Sequence, residues 1–197
     1  MAGVRQFDEE KVLSAVLEVF WRKGWQSTSM ADLAEAAEVQ RGSLYHAYGG
    51  KEALFLLAFE AYATRFLGNA AKALEAADAE TALRRFFEVA ISNMTSGTPA
   101  KGCLTTKTAA EADAIGPRIQ QRLRELLDVL QMTISNALSA EGIRGDLVLA
   151  PDDAAQVMVT FTRGLAVMER IYQEPQRLRD TADSLVRMLV PSLQARA

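Results

Sequence analysis

The chain is predicted to be all-α, on three observations. Its five prolines, Pro99, Pro117, Pro151, Pro175 and Pro191, separate long stretches rich in the helix formers Ala, Leu, Glu and Arg. Apolar residues recur at three- and four-residue spacing in those stretches. No run alternates apolar and polar residues, and no Asn-Gly or Asp-Gly pair marks a hairpin. The pattern gives about nine helices, with three short ones clustered in the first fifty residues and a larger helical bundle after them.

Composition bounds what these helices can do. A length of 197 residues allows one domain, or a small one and a medium one. With 49% hydrophobic and 24% charged residues, the chain has an ordinary globular composition, which excludes wholesale disorder. No apolar run approaches transmembrane length. The polar, acidic start lacks the apolar core of a secretory signal, so a cytoplasmic protein is expected. Cys103 and His46 are the sole cysteine and histidine. A disulfide within the chain, a Cys-x-x-Cys pair and multi-histidine or cysteine metal sites are therefore excluded, and no cofactor or catalytic residue is assigned. The net charge of −3 and pI near 5.3 do not by themselves point to nucleic acid.

The first helix opens on Asp8 as N-cap, with Glu9 and Glu10 in its first turn. Leu13, Val16, Leu17 and Phe20 form its apolar stripe, and Gly24 closes it. Ser29 and Asp32 form a capping box that starts the second helix, which stops near Ala37–Glu38. A short helical stretch follows over Gln40–His46, ending at Gly49-Gly50, with Leu44 and Tyr48 directed into the core. A longer helix begins at Lys51 and carries Leu54, Phe55, Phe59, Tyr62 and Phe66. Ala79–Thr95 is helical, Ser96–Gly102 is a loop, and Cys103–Ala114 is helical up to the break at Gly116-Pro117. Pro117 then suits the first turn of a helix reaching about Glu141. A linker over Gly142–Ala150 precedes a long helix, Asp152–Gln173. The last helix, Arg177–Leu189, is ended by Pro191.

Two short helices joined by a tight turn, with a helix before them, outline a helix-turn-helix unit. In such units the second short helix enters the major groove. Gln40, Arg41, Ser43 and His46 are donors or acceptors, Gly42 permits close backbone approach, and Tyr45 can offer a hydroxyl to phosphate. Residues 1–51 carry six Lys/Arg against seven Asp/Glu, yet no acid lies between Gln40 and Lys51. The basic character is local to this stretch.

The run Gly24-Trp25-x-x-Thr28-Ser29-Met30-x-x-Leu33-Ala34-x-x-Ala37-x-Val39-x-Arg41-Gly42-Ser43-Leu44-Tyr45-His46-x-Tyr48-x-x-Lys51-Glu52-x-Leu54 resembles the DNA-binding domain of the TetR/AcrR family of bacterial transcriptional regulators. Glu38 stands where the family pattern has glycine, and Gln40 where it has a serine or threonine cap. The resemblance implies a DNA-binding domain over residues 6–66, with its helix-turn-helix motif at 29–48. It implies a ligand-binding and dimerisation domain over 67–197. A homodimer through the last two helices would set two recognition helices roughly 34–36 Å apart on a palindromic operator in double-stranded DNA. Thr28, Ser29, Tyr45 and Lys51 are then expected at phosphates, with Lys51 at a helix N-terminus that also favours anions. Arg41, Ser43 and His46 are expected at base edges, with Gln40 and Gly42 beside them.

Trp21 and Trp25 read as packing residues of the small domain. Met132, Met158, Phe161 and Met168 suit a core or a dimer seam, and Leu178, Leu185, Met188 and Leu189 extend that seam. Phe66, Phe87, Met94, Cys103, Leu123 and Phe161 could wall a cavity for a small apolar effector. Cys103 follows Gly102 at an expected helix N-terminus, with Lys101 and Lys107 nearby, a setting that favours thiolates. The segment Gly102-Cys103-Leu104, with Glu111 beyond it, resembles a subgroup of these regulators that carries a Gly-Cys segment there, some members of which sense electrophiles or oxidants through this cysteine.

The expected function is a ligand- or redox-responsive repressor that leaves its operator when an effector binds. Two other classes compete with it. A cysteine-dependent helical enzyme lacks a resolving cysteine and a second histidine, and leaves residues 28–52 unexplained. An acidic interaction module fits the overall pI near 5.3 but not the absence of acids between Gln40 and Lys51.

Overall fold

The computed structural model describes residues 8–190. Pro191 and the expected domain start at residue 6 lie outside them. Among the described residues there are ten helices and no strand. They are α1 Glu9–Lys23, α2 Met30–Ala36, α3 Arg41–Tyr48, α4 Lys51–Leu74, α5 Ala79–Thr95, α6 Leu104–Ala109, α7 Pro117–Leu138, α8 Glu141–Arg144, α9 Pro151–Tyr172 and α10 Pro175–Leu189. The described residues divide into two compact units, 8–64 with Lys107–Leu123, and Arg65–Thr106 with 124–190.

In the first unit the helix ends follow local chemistry. Asp8 caps α1 by accepting the backbone N–H groups of Glu10 and Lys11 at 3.1 and 3.3 Å. Gly24 ends α1 with φ +83, and its N–H donates to the Phe20 carbonyl. Ser29 and Asp32 complete the expected capping box of α2. Gly49 closes α3 in the left-handed region that glycine enters without steric cost. α1 packs on α2, and α2 on α3. Their core is a chain of rings: Phe20 meets Phe55 edge-on at 4.9 Å, Phe55 stacks on Phe59 at 5.5 Å, and Trp21 meets Tyr62 at 5.2 Å. Ile115, Ile119 and Leu123 of the later segment are buried in the same unit.

In the second unit α5 packs against α10, α9 and α8. Its buried row Leu83, Phe86, Phe87, Ala90, Ile91 and Met94 keeps the helical period. At the edges Arg179 pairs with Glu88 through two 2.9 Å bonds, and Arg84 pairs with Asp183. The Arg179 guanidinium holds the Glu88 carboxyl below its usual range.

Two elements differ from the sequence expectation. The helix expected over Cys103–Ala114 stops at Ala109, and turns carry the chain to Ile115. The residues beyond it, 110–114, are mostly helix formers, and they are engaged instead by tertiary bonds: Glu111 accepts the Trp25 and Gln26 N–H groups and the Ala114 carbonyl accepts the Trp25 indole N–H. The helix expected to reach Glu141 ends at Leu138, and the extra helix α8 occupies part of the expected linker. Burial of Ile143 holds that single turn in place.

Candidate nucleic-acid interface

Helix α3 shows a sharp division of faces. Leu44 and Tyr48 are buried, whereas Gln40, Arg41, Gly42, Ser43, Tyr45 and His46 are exposed. Among the described residues the side chains of Gln40, Arg41, Ser43, Tyr45 and His46 make no hydrogen bond or ion pair. Gln40 occupies the N-cap without using its amide there. Tyr45, at 58% exposure, turns a large aromatic ring to solvent, where packing gives it no reason to be. A Cβ at Gly42 would meet nothing within 4 Å, so the fold itself does not require glycine there. The result is a row of donors and acceptors with its hydrogen-bonding capacity intact and no acid within it.

The residues before α3 fix its position. Ser29 Oγ accepts the Asp32 N–H and donates to the Asp32 carboxylate at 2.7 Å. Lys23 Nζ reaches the same carboxylate at 2.5 Å, which joins the end of α1 to the start of α2. The Lys23 bond, with those from Ser29, holds the Asp32 carboxyl well below the usual carboxylate range. Thr28, expected at a phosphate, is instead buried, and its hydroxyl donates to the Gly24 carbonyl at 2.5 Å. It holds the α1–α2 turn. Glu38 ends α2 in the left-handed region, φ 53, which explains why glycine suits that position.

Lys51, at the start of α4, is half-buried with its ammonium 4.4 Å from the centre of the Trp25 ring. Burial lowers its pKa, against the pull of Glu111 and Asp32. Trp25 itself is half-buried and held by several contacts. Its ring stacks on Phe20 at 5.9 Å and meets Phe55 edge-on at 5.5 Å. Its indole N–H donates to the Ala114 carbonyl at 3.0 Å. Glu111 accepts the backbone N–H groups of Trp25 and Gln26 at 3.2 and 2.6 Å. Lys107 Nζ donates to the carbonyls of Trp21 and Arg22 at 2.7 and 2.8 Å, and so caps the end of α1. Sequence reasoning assigns Trp25 to packing alone and gives Glu111 and Lys107 no part in this turn. Partners more than eighty residues apart leave no local pattern to read.

Of the residues expected around an effector, Phe66, Phe87, Met94 and Cys103 are buried in the second unit, and Phe161 is half-buried there. Phe87 meets Phe161 edge-on at 5.7 Å. Leu123 is also buried, but in the first unit. The cation that reaches Cys103 is one the sequence did not indicate: Arg163 of α9 places Nη1 3.5 Å from the sulfur and Nη2 3.1 Å from Thr162 Oγ1. Among the described residues no cluster of His, Cys, Asp or Glu could hold a metal ion, and no helix is long and apolar enough to cross a membrane.

Comparison with known proteins decides the family. Residues 12–58 match the family described as bacterial regulatory proteins, tetR family. Residues 79–185 match the tetracyclin repressor-like C-terminal domain. The chain belongs to the TetR family. Among relatives, the HTH-type transcriptional repressor ComR of Escherichia coli is 24% identical, with 92% of this chain and 89% of ComR covered. The reduced form of E. coli NemR has a similar fold, with a TM-score of 0.81 at 19% identity over 92% of this chain and 95% of NemR. A cysteine mutant of the TetR-family regulator CifR, solved with a 26-base-pair operator duplex, gives a TM-score of 0.77 at 23% identity over 94% of this chain and 98% of CifR.

Proposed function

We propose that this TetR-family regulator is a cytoplasmic repressor that binds a palindromic operator as a homodimer and is released by a small effector. The observation that carries the reading is the exposed row on α3, polar and free of acids in a chain that is acidic overall. Arg41, Ser43 and His46 read base edges, with Gln40 and Gly42 beside them. Ser29, Tyr45 and Lys51 meet the phosphate backbone. CifR, bound to operator DNA in its structure, supports this use of the fold. The DNA-binding domain is taken as 6–66 and the effector and dimerisation domain as 67–197, with residues 107–123 of the latter belonging to the first compact unit.

The dimer reading rests on α9. Val157, Val167, Met168, Ile171 and Tyr172 are exposed apolar residues along it, and Met188 of α10 is 65% exposed. A patch of that kind marks a contact surface. Leu178 and Leu189, expected in the seam, are buried within their own chain, so α10 contributes Met188 and a polar row instead. The effector would enter among Phe66, Phe87, Met94 and Phe161. Fluorescence anisotropy with a duplex from the protein's own upstream region tests the reading. Tighter binding to that duplex than to an unrelated one at the same salt concentration is expected, and equal binding to both would overturn it.

A second trigger is favoured by one observation, the Arg163–Cys103 contact. That contact places a cation within reach of the chain's one thiol, whose oxidation or alkylation would add polar bulk to a buried wall. Titrating the operator complex with N-ethylmaleimide or peroxide should release wild type and spare Cys103→Ser. Equal release of both proteins would leave only the reversible effector.

A further inference from the structure

Lysine is a flexible side chain, and an exposed one samples many rotamers before it meets a phosphate. Lys51 is not free in this way, because the Trp25 ring sits 4.4 Å from its ammonium. The ring in turn owes its place to a segment far along the chain. Glu111 holds the Trp25 and Gln26 amides, Ala114 accepts the indole N–H, and Lys107 caps the end of α1 just before it. Gly24 leaves the room for this, since a Cβ there would stand 2.2 Å from Glu111 Oε1.

We propose that Trp25, fixed by Glu111 and Ala114, is a positioning residue for Lys51, so that the 107–114 segment sets the protein's grip on DNA phosphate. The inference rests on the reading of Lys51 as a phosphate contact. It assigns Glu111 a role opposite to the one its charge suggests. An acid near a DNA-binding surface ordinarily weakens binding by repulsion, and its removal should strengthen it. Glu111 instead strengthens binding, because without it the indole loses its seat. Loosening the segment weakens every sequence alike, since the base-reading row on α3 is untouched. Cys103 precedes Glu111 by eight residues in the chain.

The test measures the salt dependence of binding to a duplex of arbitrary sequence, which needs no knowledge of the operator. For every phosphate that the protein ceases to neutralise, the slope of log K against log salt becomes shallower by about 0.9. Lys51→Met should show that reduction per protomer. Trp25→Leu and Glu111→Gln should show the same reduction, Trp25→Phe should retain much of the slope, and adding Trp25→Leu to Lys51→Met should cost no further slope. If Trp25→Leu does not fold, Glu111→Gln decides the matter. A wild-type slope in Glu111→Gln and Trp25→Leu, beside a reduced slope in Lys51→Met, overturns the inference alone. An unchanged slope in Lys51→Met overturns the phosphate reading, and the inference with it.

Discussion

Arg41 and Lys51 lie ten residues apart and are expected to fail differently. Arg41 leads the exposed row of α3 and can grip a guanine edge with two bonds. Arg41→Ala should cost about 1–3 kcal/mol on the specific site and relax one base position, whereas Lys51→Ala should weaken all sequences alike. Competition anisotropy with single-base operator variants separates the two. Ser29 belongs to the same scale. Removing its cap by Ser29→Ala should cost about 0.5–2 kcal/mol in urea unfolding. Asp32, held low by Lys23, lends stability above the ordinary carboxylate range that is lost as the pH falls through its folded value. Lys23→Met should move the Asp32 titration upward by NMR. Much of this was legible in the sequence, because caps and left-handed glycines act within four residues. The Ser29–Asp32 box and Gly49 could be read directly. The Glu111–Trp25 and Cys103–Arg163 contacts could not, since each joins residues that only folding brings together.

At the scale of the element, helix ends separate what sequence reveals from what it hides. Pro151 and Pro175 open α9 and α10, one and two residues ahead of the starts expected at Asp152 and Arg177, as their fixed φ suits a first turn. The early end of α6 and the single turn of α8 depend on tertiary partners, Glu111 bonds in one case and burial of Ile143 in the other. The end of α2 carries a conflict visible in the sequence. Glu38 sits at φ 53 where a side chain costs about 1–2 kcal/mol. Glycine relieves that strain and gives back about 0.5–1 kcal/mol of chain entropy. Glu38→Gly should therefore stabilise the protein by up to about 1 kcal/mol, read by urea unfolding. In α9, Glu169 is 3% exposed, and burial raises its carboxyl pKa against the weaker pull of Arg170. Between the unfolded and folded values the native state binds more protons, so stability falls as the pH rises through that window. Glu169→Gln should remove the decline, leaving thermal stability flatter with pH and higher at neutral pH than in wild type.

At the scale of the whole molecule, the proposed repressor combines a DNA-reading helix with a pairing surface. The exposed apolar row on α9 is expected to close against a second copy, burying roughly 2,000 Å² or more in total. Sedimentation should then show a dimer at micromolar concentration, and Ile171→Glu should shift it to monomer with loss of operator affinity. The family and the helical class were legible, because the run around Arg41-Gly42-Ser43 lies in one stretch of chain. The joining of residues 107–123 to the first unit was not, because nothing in that segment's own pattern names its partners. The central claim is that the α3 row reads DNA. Its most direct measurement is anisotropy of the wild type and Arg41→Ala on a duplex from the protein's own upstream region, beside an unrelated duplex. Preference for the first duplex in wild type, and loss of that preference in the variant, are expected. Equal affinity of the wild type for both duplexes, or an unchanged preference in Arg41→Ala, would contradict it.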